Sequence, residues 1–116
     1  MFDATDMPVY VRPGKTDGRK SIDGLVGIIR DGMRMDVLKG GLFIFCNKAR
    51  TTIKCISWDK TGFLLIQKKL LGYTFAWPQT EEAAKEISGE EFLQFLNGAD
   101  VFRHFTPWED VHIVNG

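Results

Sequence analysis

GLFIFCNKARTTIKCISWDKTGFLLIQKKLLGYTFAW, residues 41–77, decides the fold. Short apolar runs alternate with short polar breaks. Residues 42–46 are aromatic, aliphatic and β-branched; 47–51 are polar; 52–58 form a second strand-like segment. Asp59, Lys60, Thr61 and Gly62 break the chain again before a third run at 63–69. Gly72 marks a further turn, and 73–77 read as a fourth strand. Runs this short with connections this tight predict an antiparallel meander. A parallel arrangement of these runs would need a long crossover, which the stretch does not contain. With a loop at 59–62, Trp58 faces Phe63, Ile56 faces Leu65 and Lys54 faces Gln67. One face of the sheet packs on a helix; the other needs a C-terminal helix, a subunit partner or a ligand.

Upstream, Val9, Tyr10 and Val11 form a short strand candidate, and Pro13-Gly14 is a turn. Ile22, Leu25, Val26, Ile29 and Met33 recur at helical spacing, so a helix is expected over about 19–32. Thr16, Asp17 or Ser21 caps it. Residues 33–39 connect it to the sheet, with one short turn. Downstream, Ser88 and Glu91 have the spacing of a capping box, and Phe92, Leu93, Phe95 and Leu96 give an apolar helix face. The expected fold is therefore α+β: an antiparallel sheet of three to five strands packed against helices. Residues 1–116 form one domain, with 101–116 as an appended tail.

The chain is formally neutral, but its charge is uneven. Residues 1–79 hold thirteen Lys or Arg against seven Asp or Glu, whereas residues 80–116 hold two against eight. Two readings fit: internal neutralisation, or a basic face for a polyanion beside an acidic appendage. The neutral total argues against strong non-specific nucleic-acid binding, which depends on many released counterions. No run is long enough to cross a bilayer, and the acidic start MFDATDMPVYV lacks the order of a signal peptide. The expectation is a cytoplasmic protein with no membrane partner. Cys46 and Cys55 read as reduced, small hydrophobes, with a cross-strand disulfide as the alternative.

No catalytic constellation emerges. His104 and His112 flank Pro107, and neither a metalloprotease helix motif nor a zinc cysteine pair nor a phosphate-cradling glycine loop is present. No catalytic residue, metal or cofactor is assigned. The polar signal is cationic. Arg19 and Lys20 stand at a helix entrance, where backbone donors favour anions, with Arg12 and Lys15 nearby. Lys48, Arg50 and Lys54 form a second group at the loop of the first hairpin. Lys68 and Lys69 end the third run at the same edge. Phosphate contact is one reading and ordinary solvated cations the other. Trp58, Tyr73 and Trp77 either stack on bases or pack in the core.

TDGRKSIDGL (16–25), GGLFIFCNKAR (40–50), IKCISWDKTGF (53–63), KKL (68–70) and FAWP (75–78) occur in that order. Together they resemble the TnpB family, the small second-open-reading-frame accessory proteins of insertion-sequence sixty-six transposable elements. That family is unrelated to the RNA-guided nuclease sharing the label. The resemblance implies a non-catalytic accessory role in transposition beside a separate, larger transposase, through contact with DNA, the transposase or both. It transfers no catalytic residues. This chain departs from the family pattern at Gly18 and Ser21, and at Lys60, where a small residue is common. The expected phosphate contacts are Arg12, Lys15, Arg19, Lys20, Lys48, Arg50 and Lys54. The rival reading is a protein-interaction or structural homo-oligomer subunit using Phe102, Phe105 and Trp108.

Overall fold

The computed structural model describes residues 7–72, 74–80 and 87–88, the last two by backbone alone. Its centre is the strand β2 (Leu42–Cys46), all five residues of which are buried. A strand buried on both faces is an apolar run without alternation, as LFIFC is. β3 (Thr52–Asp59) pairs antiparallel with β2, and β4 (Gly62–Lys69) antiparallel with β3. The two-residue turn between Asp59 and Gly62 sets the register. Trp58 lies opposite Phe63, Ile56 opposite Leu65 and Lys54 opposite Gln67, as the sequence predicts. The Trp58 and Phe63 rings meet edge-on, 5.0 Å apart.

The sheet is not a pure antiparallel meander. β1 (Pro8–Val11) pairs parallel with β2, and β5 (Ile87–Ser88) antiparallel with β1, giving the order β4-β3-β2-β1-β5. The parallel pair is allowed because the chain between Val11 and Leu42 holds a helical crossover. That crossover is α1 (Ile22–Gly27), a π-type turn over Ile28–Gly32 and a 3-10 turn over Val37–Lys39. The helix starts three residues later than expected. Ser21 is its extended N-cap residue. Asp17 holds the preceding residues in a turn: its side chain accepts from the Arg19 N–H at 2.9 Å, and its carbonyl from the Lys20 N–H at 3.1 Å. Such local side-chain bonds compete with helix formation.

Two apolar layers enclose the sheet. On one face Leu25 and Ile29 lie against Phe43, Phe45 and Ile56. On the other, Val9, Val11, Leu42, Ile44, Cys46, Ile53 and Cys55 pack with Phe75 and Trp77. Each large side chain so buried contributes about 1.5–3 kcal/mol. The expected strand at 73–77 is not formed over its described part. Residues 74–80 are an irregular strap that crosses the loop end of the sheet. The Phe75 N–H donates to the Arg50 carbonyl at 2.7 Å, and the Pro78 carbonyl accepts from Gly14 at 2.8 Å. These bonds satisfy backbone groups that a ladder would otherwise use.

Cys46 and Cys55 are buried free thiols, so the disulfide alternative falls. Burial pushes Cys46 up to about 12, against an opposing effect of Arg50, and Cys55 upward as well. Gly41 is needed where it stands. Its φ is +102°, and a Cβ there would lie 2.9 Å from the Tyr10 ring, which stacks on Phe43. Among the described residues no helix is long and apolar enough to cross a membrane. The expected 88–97 helix falls outside the described residues from Gly89 onward, and Ser88 itself pairs with Pro8.

Candidate nucleic-acid interface

The parallel pairing of β1 with β2 fixes where the cations lie. Both strands end at the same edge of the sheet, so the chain leaving β1 and the loop leaving β2 emerge side by side. The Thr16 N–H donates to the Cys46 carbonyl at 2.8 Å, binding the two exits together. Asn47 builds the loop after β2. Its Oδ1 accepts from the Thr51 and Thr52 N–H groups at 2.9 and 3.1 Å, and its Nδ2 donates to Thr51 Oγ1 at 3.2 Å. Arg50 closes the loop with φ +60°, a left-handed conformation unusual for a residue with a side chain.

Between the 14–15 turn, the 47–50 loop and the strap lies an open cleft of about 320 Å³. Lys15, Lys48 and Arg50 line it, with Gly14, Asn47, Trp77 and Gln79. Lys15, Lys48 and Arg50 are exposed, and none forms an ion pair among the described residues. Three positive charges from two turns thus line one recess, where a mobile anion gains from all of them.

The other four expected contacts are disposed differently. Arg19 grips Asp17 with two bonds, Nε to Oδ1 at 3.1 Å and a terminal nitrogen to Oδ2 at 2.9 Å. That side-chain pairing, joined by the Arg19 backbone N–H, holds the Asp17 carboxyl well below the usual carboxylate range. Lys54 turns inward, its Nζ donating to the Gly18 and Lys20 carbonyls, both at 2.7 Å. It therefore clamps the helix entrance to β3. The Lys20 stem lies over Gly24, on the first turn of α1. The Arg12 guanidinium packs against Gly32, at the far end of the helical segment from Ser21.

Trp77 is not a stacking platform: it is 4% exposed, and its Nε1 donates to the Arg12 carbonyl at 2.9 Å. Trp58 packs on Phe63. Tyr73 and the aromatic set Phe102, Phe105 and Trp108 lie outside the described residues, as do both histidines. Among the described residues no three His, Cys, Asp or Glu side chains converge as a metal site. Two cleft residues escape a sequence reading. Gln79 stands in an irregular segment without a motif. Asn47 was visible only as a loop-opening residue, a position where its side chain commonly bonds the backbone.

Residues 7–105 match the family described as IS66 Orf2 like protein. The chain belongs to this family. Membership in the IS66 Orf2-like group ties it to an insertion-sequence element and to an accessory place in transposition. Two relatives come from Sinorhizobium fredii. The uncharacterized protein y4jC is 30% identical over 92 residues, 79% of each chain. The uncharacterized protein y4hO is 31% identical over 96 residues, 83% of each chain. No solved structure matches. Lys60 sits at φ +56° in the β3–β4 turn, a conformation glycine adopts without strain.

Proposed function

We propose that this IS66 Orf2-like protein assists transposition without catalysing it, by holding DNA phosphates in the cleft formed by Lys15, Lys48 and Arg50. The observation that carries this reading is the meeting of three cations from two distant segments on one open recess. Arg19 and Lys54 instead organise the neighbouring turn. Lysine and arginine contacts to phosphate supply affinity and orientation but little sequence information. In this reading the choice of element ends falls to the separate transposase, and the accessory protein contributes non-specific contact to the assembly.

A band-shift assay with DNA supplied as both single strands and duplex tests this. Lys15→Ala/Lys48→Ala/Arg50→Ala should lose binding by roughly 10–100-fold near physiological salt. Lys39→Ala/Lys60→Ala should bind like the parent, because those exposed lysines lie at the opposite end of the strands. Equal losses in the two variants would reduce the effect to total charge and remove the cleft from the mechanism.

A further inference from the structure

We infer that the cleft holds the backbone of a single nucleic-acid strand and does so without reading its sequence. This deepens the phosphate-binding reading above and rests on it. Four features carry it.

The first is shape. The site is a recess of about 320 Å³ between three loops, near the small end of the roughly 300–1,000 Å³ typical of small-ligand sites. It admits a unit of about nucleotide size. A duplex is stiff, with a persistence length of about 50 nm, and keeps its phosphates on a convex cylinder that meets such a recess only at its rim. A flexible strand can bend its backbone into such a recess.

The second is the placement of charge. Lys15 stands on the turn after β1, and Lys48 and Arg50 on the loop after β2, so cations from two adjoining segments line one recess. A strand lying in it meets positive charge from both segments.

The third is the state of the amides, the side chains that pair bidentately with adenine. Both ends of the Asn47 amide are engaged in its own loop. The Gln79 Nε2 donates to the Trp77 carbonyl at 2.9 Å. With Asn47 held by its own loop and the Gln79 amide nitrogen held by the strap, the cleft contacts a strand mainly through its three cations.

The fourth is the burial of Trp77, at 4% exposure. Bases gain no stacking surface from it, so contact falls on the phosphates while the bases stay outside. Affinity should accordingly be modest and strongly salt-dependent.

Fluorescence anisotropy with the full chain tests the inference. The probes are a short labelled single strand of mixed sequence, a second of unrelated sequence, and the duplex of the first. The expected result is single-strand binding roughly tenfold tighter than duplex binding, because the stiff duplex cannot bend into the recess, with the two strands within about twofold of each other. Lys15→Ala/Lys48→Ala/Arg50→Ala and the charge reversal Lys48→Glu should both lose that binding, with far-ultraviolet circular dichroism unchanged because all three residues are exposed. Duplex binding as tight as single-strand binding, with the same dependence on the variants, would overturn this inference and leave the cleft as a DNA contact. A difference between the two strands beyond about tenfold would overturn the claim of sequence independence. Absence of binding to every probe, or binding unaffected by the variants, would overturn the phosphate-binding reading itself.

Discussion

The helix entrance and the hairpin loop are neighbouring turns with similar cationic composition, yet they use their charges in opposite ways. At the entrance, Arg19 is locked onto Asp17 and Lys54 is drawn inward onto two carbonyls. At the loop, Lys48 and Arg50 join Lys15 around a recess and have no carboxylate partner among the described residues. A cation is available to a ligand only where the fold has not already given it an acceptor. The entrance cations shape the turn; the loop cations face outward because Asn47 supplies the bonds that hold their backbone.

The sharpest way to break that contrast is to exchange the groups. Lys15→Ala/Lys48→Ala/Arg50→Ala should flatten the dependence of log affinity on log salt by about 2 to 3 units, at roughly 0.7–0.9 per phosphate contact. Arg19→Ala should change the slope by less than one contact's worth. A salt titration of both variants decides it, and comparable slopes would erase the distinction. Next in size is Asn47→Ala. Losing three loop bonds should lower stability by about 2 kcal/mol in urea unfolding and loosen the cleft as well. Arg50→Gly separates conformation from charge. Removing the left-handed strain should raise stability by about 0.5–1 kcal/mol while weakening nucleic-acid binding. Thermal unfolding and anisotropy on the same sample should then move in opposite directions.

The smallest effect concerns the entrance pair. The Asp17 carboxyl is depressed in the folded protein, so its contribution is fully present above the ordinary value of 3.8 and is lost as pH falls below it. The pair is exposed, and solvent screens it. Asp17→Asn should therefore leave stability near neutral pH almost unchanged and make acid unfolding shallower below about pH 4. An acid titration followed by circular dichroism checks this; a large loss at neutral pH would give the pair a larger structural part.

The contrast also shows what was legible in the chain. The pairing of β3 with β4 could be read residue by residue, because a two-residue turn leaves little choice of register. The helical stripe was legible too: Leu25 and Ile29 are buried where spacing places them. The β1–β2 pair was not, since three apolar residues do not name a partner across a long crossover. That pair brings Lys15 to Lys48 and Arg50, so the cleft could be anticipated only as a set of nearby cations. The strap misled because Phe75 and Trp77 look like strand residues; burial requires the same side chains whether or not the backbone joins a ladder. Nor could sequence sort engaged cations from available ones. Lys54 and Lys48 look alike until Gly18 and Lys20 are seen to present carbonyls to one of them.

The central claim is that nucleic acid meets the protein at the cleft and not at the helix entrance. Backbone amide chemical-shift mapping during titration with a short single strand tests it most directly. The account predicts the largest changes at Gly14, Lys15, Lys48 and Arg50 and at the Trp77 indole N–H, with little change around Lys60. Changes centred on Arg19 and Lys20, or on the Lys60 turn, with the cleft amides unmoved, would contradict it.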